Sequence, residues 1–350
     1  MAIKVFGIDE KDTWNCIVKS FKQWDVYYLC EYAISFKKHG DGEPILLYFE
    51  NGEDRVCYVV MIRDIADDKK FNGRLEKNRY FDFETPYGYG GPLTDNELSI
   101  ESQLFFADEL KKYCIDNNVV EQFVRFHPVL KNYKMMPKLF ETRYLHDTIF
   151  IDTSTEESIL SNMDSACRNK IRKAQKLGVE VVCEPISNYQ DFIKIYQETM
   201  DRDNATDYYY FSDEYFKSLA DLNDNTCLFY AMLEGTPIAS SIMYYNQTFM
   251  HYHLSGSLTS YRNYAPTNLL LYEAACWGFK RGITKLHLGG GMEQDDNLFG
   301  FKKQFNKNGR LEYYVGRTVF DKNAYGYLMD LRAEDKDFDR NNNRMTQYRA

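Results

Sequence analysis

Leu286-His287-Leu288-Gly289-Gly290-Gly291, followed closely by Asp295-Asp296-Asn297-Leu298-Phe299-Gly300-Phe301-Lys302, is the most informative stretch of this chain. The apolar residues predict a strand, and the strand runs directly into three glycines. Because glycine adds no side chain, backbone N–H groups at this sheet edge are expected to be open to a ligand, one short loop from a lysine. The stretch therefore predicts a site where backbone N–H groups and a lysine bind a negatively charged group of a ligand.

The same order of elements is expected twice along the chain. In the first half, the pair Asn51-Gly52 lies between two apolar runs and predicts a hairpin over 45–62, followed by a helix from Ile100 and a strand over 119–126. The second half repeats this order with strands over 227–233, 238–245 and 249–254, a helix from Pro266 and a strand over 284–288. The pattern predicts an α/β (α+β) fold with two domains, each containing a mixed sheet flanked by helices.

The domain boundary is placed near residue 150. Strand-like residues 148–151 precede Ser154-Thr155-Glu156-Glu157, a capping-box pattern that predicts the start of a helix. We therefore expect one domain over 1–150, a second over 151–335 and a polar C-terminal tail over 336–350.

Composition excludes several classes of protein. The chain has 350 residues, 44% of them hydrophobic, which is enough for two ordinary cores, and its net charge of -9 argues against broad nucleic-acid binding. No apolar run approaches the ~20 residues of a membrane span, and the first residues lack the apolar core of a signal peptide, so a cytoplasmic protein is expected. The eight cysteines show no metal-ligand spacing and are expected to be buried free thiols.

Five motifs together resemble a known family. They are Asp82-Phe83-Glu84-Thr85-Pro86-Tyr87-Gly88-Tyr89-Gly90-Gly91-Pro92, Arg125-Phe126-His127-Pro128, Arg168-Asn169-Lys170-Ile171-Arg172-Lys173-Ala174, His287-Leu288-Gly289-Gly290-Gly291 and Leu298-Phe299-Gly300-Phe301-Lys302-Lys303-Gln304-Phe305. Their order is similar to that of the Fem-type aminoacyltransferases and related acyltransferases of the GNAT superfamily. The resemblance implies two tandem GNAT-like domains and transfer of an acyl or aminoacyl group to an amine.

The resemblance leaves the donor open between acyl-CoA and aminoacyl-tRNA. No heptad-patterned insertion between Asp201 and Leu228 matches the long helical hairpin of staphylococcal-type Fem proteins, and the acidic balance weakens the tRNA option, so acyl-CoA ranks first. The loop before the Pro266 helix resembles weakly the pyrophosphate loop of GNAT enzymes. Its expected cofactor contacts are Arg262, Ala265, Thr267 and Asn268.

Amine acylation needs a proton acceptor and donors aimed at the developing oxyanion. By position in the family motif, Lys302 is expected to stabilise the oxyanion or the donor phosphate, and Lys303 replaces it if the register differs by one. His287 is the first candidate for the base, although a strand histidine also serves as a packing residue. Glu293, Asp295 and Asp296 are alternatives that accept the proton through water or cap the next turn.

The acceptor is expected to contact residues of both halves of the chain. Tyr87 and Tyr89 form the proposed stacking wall. Arg125 and His127 would hold a carboxylate or phosphate, with a salt bridge that seals the domain interface as the structural alternative. Arg168 and Arg172 fall on one basic helix face together with Lys176, and Lys303 completes the expected substrate contacts. No metal site, Walker loop, GxSxG elbow or dinucleotide-binding glycine pattern is recognised.

The sequence thus favours an N-acyltransferase that uses acyl-CoA and acts on an amino sugar, a nucleotide-linked sugar or a cell-envelope precursor. One alternative is an aminoacyl-tRNA-dependent transferase that acts on a peptidoglycan precursor. A second alternative is a catalytically inactive relative that binds a sugar or peptide.

Overall fold

The computed structural model describes residues 2–71 and 73–350, which form two compact units. Unit 1 contains the described residues up to Leu145 together with Tyr313–Ala350, and unit 2 contains His146–Glu312. The observed division differs from the expected one. Residues 313–335 belong to unit 1 rather than to the second domain, and residues 336–350 are part of unit 1 rather than a separate tail.

Unit 1 is built on a mixed sheet in the order β1-β2-β3-β4-β6-β13, with the short β5 paired to β3. Its elements are β1 (Lys4–Phe6), α1 (Lys11–Lys19), α2 (Cys30–His39), β2 (Glu43–Asn51), β3 (Asp54–Asp64), β4 (Phe81–Glu84), β5 (Leu93–Thr94), α3 (Ile100–Asp116), β6 (Val119–Arg125), the first part of β7 (Glu141–Asp152), most of β13 (Arg310–Val319) and α10 (Lys322–Arg332).

The local signals of unit 1 fold as expected. Strands β2 and β3 form the predicted hairpin, and Gly52 in its turn adopts a φ of 63°, which glycine reaches without steric cost. Helix α3 begins after Ser99, whose hydroxyl accepts a hydrogen bond from the Ser102 N–H at 3.1 Å. One face of α3 packs on the sheet through Phe106, so the helix closes the main core of this unit.

Unit 2 is built on a second sheet in the order β7-β12-β11-β10-β9-β8. Its further elements are α4 (Glu156–Ser161), α5 (Ser165–Lys176), β8 (Val179–Glu184), α6 (Gln190–Arg202), α7 (Asp213–Ser218), β9 (Thr226–Leu233), β10 (Thr236–Tyr245), β11 (Phe249–Ser257), α8 (Pro266–Phe279), β12 (Lys285–Gly289) and α9 (Asn297–Lys303).

The predicted repeat of pattern is confirmed as a repeat of topology. In unit 1 the antiparallel strands β2, β3 and β4 lead through α3 to β6, which lies parallel to β4. In unit 2 the antiparallel strands β9, β10 and β11 lead through α8 to β12, which lies parallel to β11. A parallel pair needs such a crossover connection, and the helix provides it in both units.

Two local predictions need correction. The capping box of α4 is formed by Thr155 and Ser158, one residue later than the Ser154 and Glu157 pattern, because the Thr155 side chain is the one that accepts the Ser158 N–H. All eight cysteines are free, but Cys16 and Cys183 are exposed and Cys276 is intermediate, so only five are buried thiols. No helix among the described residues is long and apolar enough to cross a lipid bilayer.

The C-terminal segment folds onto unit 1 through charged and polar side chains. The Arg349 guanidinium binds the buried Asp82 carboxylate through Nε at 2.6 Å and also contacts Asp68 at 2.9 Å. The Tyr348 hydroxyl donates to the same Asp82 at 3.0 Å, and Arg332 donates to the Tyr348 carbonyl at 2.9 Å. These bonds explain why residues 336–350 are part of a domain despite their polar composition.

Candidate functional site

The sheet of unit 2 opens between β11 and β12. These parallel strands are paired only up to His251 and His287. Beyond that point β11 continues along β10 to Ser257, whereas β12 continues along β7 to Gly289. The two strands therefore diverge, and unpaired strand edges line a wedge at the centre of the unit.

Two histidines lie at the vertex of this wedge. The Nδ1 atoms of His251 and His287 are 3.4 Å apart, and both side chains are buried. The Nε2 of His287 lies 2.9 Å from the Thr148 hydroxyl. Both ring nitrogens of His287 thus have partners inside the fold, which agrees with the packing interpretation and leaves its role as a base a prediction.

His253 lies two residues further along β11. Its Nε2 is 2.8 Å from the Tyr215 hydroxyl, and its ring lies 4.5 Å from that of Tyr244. Burial, and after it the nearby His251, lower the pKa of His253 to about 3. The imidazole is therefore neutral at physiological pH and can exchange a hydrogen bond with Tyr215 without carrying charge.

Lys302 reaches the wedge from α9. Its Nζ donates to the Gly290 carbonyl at 2.6 Å and lies 5.9 Å from the centre of the Tyr252 ring on β11. The side chain is only 7% exposed. Burial lowers the pKa of the amine to about 8, although the charge of Asp296 acts in the opposite direction. A buried lysine with this pKa, placed between two diverging strands, is suited to charge stabilisation or proton transfer.

The glycines that precede α9 let the backbone lie close to two side chains. A Cβ on Gly291 would lie 2.0 Å from Oδ1 of Asp296, and a Cβ on Gly290 would lie 2.5 Å from the His146 ring. Asp296 is the N-cap of α9, and it accepts hydrogen bonds from the N–H groups of Phe299 and Met292 at 2.7 and 2.6 Å. The glycines therefore hold the start of α9 against the end of β12.

The triple glycine thus has a different role from the expected one. The group that contacts Lys302 is the carbonyl of Gly290 and not a backbone N–H. Gly289 has a φ of 72°, a conformation that favours glycine and turns the chain at the end of β12. The glycines thus position Lys302 by allowing close packing. The sequence pattern alone does not distinguish this role from that of exposing backbone N–H donors.

The other candidates near α9 are more exposed. The Glu293 side chain faces solvent, and its N–H donates to Asp296 at 3.1 Å. Lys303 is half-buried on the same helix. Of the two lysines, Lys302 is therefore the one that enters the wedge. A shift of the motif by one residue, to Lys303, is not needed to place an amine there.

The loop expected to bind the cofactor is a 3₁₀ helix, Thr259–Tyr264, that leads into α8. Ala265 is in the left-handed region with φ 53°, and its N–H donates to the Arg262 carbonyl at 3.0 Å. Pro266 has no N–H, and the Asn268 N–H donates to Ala265 at 3.2 Å. The N–H groups of Ala265 and Asn268 are therefore used within the turn and are not open to a pyrophosphate.

The four predicted cofactor contacts also differ in exposure. Arg262 is exposed, whereas Ala265 and Thr267 are half-buried. Asn268 is buried and its side-chain amide lies 3.6 Å from the Cys167 sulfur. The Asn268 side chain is thus used between α8 and α5 and is not available to a cofactor in this structure.

The basic residues of α5 lie on one face as expected, but its two arginines have different surroundings. Arg168 donates to the carbonyls of Met163 and, at 3.3 Å, Leu160, so its guanidinium caps the end of α4. Arg172 is exposed, and its nearest partner is the Asn169 amide oxygen at 3.4 Å. Arg172 is the one of the two that faces solvent and is open to a ligand.

The aromatic loop of unit 1 is held by its own side chains. The Tyr32 hydroxyl donates to the Tyr87 carbonyl, and the Tyr87 ring stacks on Phe36 with centroids 5.8 Å apart. Tyr89 packs edge-on against Tyr313 at 5.4 Å, and burial raises the pKa of Tyr89 far above its usual range. The two tyrosines are half-buried, which agrees with a structural loop that presents part of each ring.

Arg125 and His127 lie at the end of β6 in different surroundings. Arg125 pairs with Glu84, donates to the Thr85 carbonyl at 3.2 Å and lies over the Phe123 ring at 4.8 Å. His127 is fully buried, and its Nε2 lies 3.3 Å from Asp25. Asp25 and His127 both belong to unit 1 and are 102 residues apart in the chain, so this contact is not the expected salt bridge at the domain interface.

The chain is similar to known proteins in one sequence domain and in its fold. Residues 161–303 match the family model of the acetyltransferase (GNAT) domain. No curated protein sequence matches the chain. The structure of FemX is similar over 93% of this chain and 99% of its own, with a TM-score of 0.65 and 14% identity.

Two further solved structures share the fold. L-PGS from Bacillus licheniformis matches over 92% of this chain and 96% of its own, with a TM-score of 0.56 and 11% identity. The C-terminal domain of a putative lysylphosphatidylglycerol synthetase from Agrobacterium fabrum matches over 93% and 94%, with a TM-score of 0.54 and 11% identity. At these identities the likeness shows the fold alone.

The match to the GNAT family domain therefore lies in unit 2, and it includes the diverging strands β11 and β12. The structure has two GNAT-like domains, and its fold is similar to that of FemX, in agreement with the resemblance seen in the sequence.

Proposed function

We propose that this protein is an N-acyltransferase that moves an acyl group from acyl-CoA to an amine on an amino sugar, a nucleotide-linked sugar or a cell-envelope precursor. The observation that carries the proposal is the buried Lys302 amine in the wedge between β11 and β12 of a GNAT domain. The wedge provides an edge of unpaired backbone, and the lysine provides one positive charge inside it.

Lys302 is assigned the role of stabilising the oxyanion. When an amine attacks the donor carbonyl, negative charge develops on the carbonyl oxygen, and a cation in a water-poor site stabilises that charge more than it stabilises the ground state. With its pKa at about 8, the Lys302 amine is mostly protonated at pH 7 and can also release a proton to a leaving group. His287 and Glu293 remain candidates for accepting the proton of the attacking amine.

Aminoacyl-tRNA is the second candidate donor, and one observation favours it. The turn before α8 uses the N–H groups of Ala265 and Asn268 for its own hydrogen bonds, so these two donors are not open to a CoA pyrophosphate. A donor held by side chains such as Arg172 would not need this turn.

Ligand binding separates these possibilities. Coenzyme A, acetyl-CoA and deacylated tRNA would each be titrated into the protein by calorimetry at two salt concentrations, with thermal shifts measured in parallel. Saturable coenzyme A binding supports the acyl-CoA enzyme, salt-dependent binding to tRNA alone supports the second donor, and binding to neither favours an inactive relative.

The assignment of Lys302 is tested by turnover with the donor that binds and a panel of amine acceptors. Lys302→Met is expected to lower kcat by roughly 100-fold or more, the size seen when one oxyanion donor is removed. Lys307→Met, which removes an exposed lysine shortly after α9, is the matched control and should retain most activity. Equal activity of the two variants would contradict the role of Lys302.

A further inference from the structure

A cavity of about 370 Å³ lies within unit 1, on the face of its sheet that is opposite α3. Strands β3, β4, β6 and β13 form its floor, and the C-terminal segment 343–349 forms one wall. Its charged lining consists of Arg63, Arg125, Arg143, Arg344, Arg349 and Glu84. Five arginines against one carboxylate is unexpected in a chain whose net charge is -9.

Three of these arginines are neutralised by carboxylates at the edge of the cavity. The pairs are Arg63 with Asp82 and Glu84, Arg125 with Glu84, and Arg349 with Asp82 and Asp68. Burial alone would raise the pKa of Asp82, but Arg349 and Arg63 bring it below its usual range, so this carboxylate is ionised. The three positive charges and three negative charges of these residues therefore balance.

Arg143 and Arg344 are left without a balancing charge. Neither makes an ion pair with any residue in 2–71 or 73–350, and the Arg344 guanidinium donates to a neutral group, the Arg349 carbonyl, at 2.9 Å. Both are exposed at the mouth of the cavity. Two guanidinium groups therefore face the same space with a net charge of about +2 and unused N–H donors.

A further acid, Glu121, does not change this balance. Glu121 lies on the same face of β6 as Phe123 and Arg125 and is fully buried. Burial, and after it the charge of Asp82, raise the pKa of Glu121 to about 8. The carboxyl group is mostly neutral at pH 7 and adds little negative charge near the cavity.

The rest of the lining is apolar. Phe123, Leu145, Val315 and Met345 contribute carbon surface beside the arginines. A volume of this size lies in the usual range for sites that bind small molecules, and such sites combine an apolar lining with a few convergent polar groups. The lining therefore suits a ligand that has an anionic group and a compact organic body.

We propose that this arginine-lined cavity of unit 1 binds the phosphate or diphosphate group of a small molecule. Guanidinium groups bind phosphate oxygens through paired N–H donors, and two unbalanced arginines match a dianion. The site lies wholly within unit 1, so it does not depend on the acyl transfer proposed for the wedge of unit 2. Because residues 343–349 form a wall, an occupied cavity also holds the C-terminal segment in place.

The test is calorimetric titration of the intact protein with inorganic pyrophosphate and, separately, with inorganic phosphate and citrate. Wild-type protein is expected to bind pyrophosphate saturably and more tightly than citrate. The double variant Arg143→Gln/Arg344→Gln should weaken pyrophosphate binding at least 10-fold. Arg79→Gln/Arg340→Gln, which removes the same charge from exposed positions of unit 1 outside the cavity, should change it less than twofold.

Several results would overturn the proposal. They are the absence of saturable binding of pyrophosphate and phosphate by the wild-type protein, equal losses in the two double variants, and tighter binding of citrate than of pyrophosphate. Hydrogen exchange gives an independent readout that does not require any variant. Saturating pyrophosphate should slow amide exchange over residues 343–349, and unchanged exchange there would place the anion elsewhere.

Discussion

Replacing Lys302 by methionine is expected to stabilise the protein at pH 7 while removing its activity. The pKa of Lys302 falls from 10.5 to about 8 in the fold. A fall of this size means that burying the charged amine costs roughly 3 kcal/mol relative to the neutral amine. Methionine has a similar length and no charge, so the variant avoids this cost.

The lost hydrogen bond sets the net effect. Lys302 donates to the Gly290 carbonyl at 2.6 Å, and a bond from a charged donor contributes about 1.5–3 kcal/mol. The gain at pH 7 is therefore expected to be roughly 1 kcal/mol. A neutral lysine keeps a bond to Gly290 without the cost of charge burial, so the order of stability should reverse at high pH.

The sign of the pH dependence follows from linkage. Between about pH 8 and pH 10.5 the unfolded chain binds the Lys302 proton and the folded protein does not, so wild-type stability rises with pH in this window. The stability of the Lys302→Met variant relative to the wild type should fall by roughly 3 kcal/mol across the same window. Below pH 8 the difference should be nearly constant.

Urea unfolding followed by circular dichroism at pH 7, 8, 9 and 10 measures this difference. Lys303→Met, which removes an amine from a half-buried neighbour on α9, is measured in parallel as the control. A Lys302→Met difference that stays constant from pH 7 to pH 10 would refute the reasoning, because it would mean that the amine is not desolvated in the fold.

Further variants test the packing around the site and in unit 1. Gly291→Ala should destabilise the protein by about 2 kcal/mol, because its Cβ would meet Asp296, whereas Gly300→Ala, an open position on α9, should be neutral or stabilising by up to about 1 kcal/mol in urea unfolding. Asp296→Ala should cost about 1 kcal/mol through loss of the α9 N-cap, measured in the same way. The raised pKa of Glu121 makes the wild type lose stability as pH rises from 4.5 to 8. Glu121→Gln should therefore gain stability relative to the wild type over this range, by up to about 4 kcal/mol. A difference in unfolding free energy that stays constant between pH 5 and pH 8 would contradict this.

Local signals predicted much of the fold because they depend on neighbours in the chain. The Asn51-Gly52 turn, the Ser99 cap of α3 and the Pro266 start of α8 each lie within a few residues of the element that they define. The repeated order of strands and helix was visible for the same reason. Such signals show where elements lie along the chain but not which side chains meet across it.

Long-range polar pairing explains what the sequence did not show. The 336–350 tail was expected to be separate because it is polar, yet Arg349 and Tyr348 bind Asp82, which is more than 260 residues away. The partner of His127 and the convergence of Arg143 with Arg344 are hidden for the same reason. Composition describes such residues as solvent-facing, and only the fold brings them to a common position.

The position of Lys302 is difficult to explain by stability alone. A buried amine whose charged form is desolvated lowers the stability of the fold at neutral pH, and an apolar side chain of the same length would fit the same path. Two glycines also have to lie against His146 and Asp296 so that α9 can present this lysine to the end of β12. This arrangement costs stability and depends on close packing, so it agrees better with a lysine that acts on a ligand than with a packing residue. The ligand would occupy the wedge where β11 and β12 diverge.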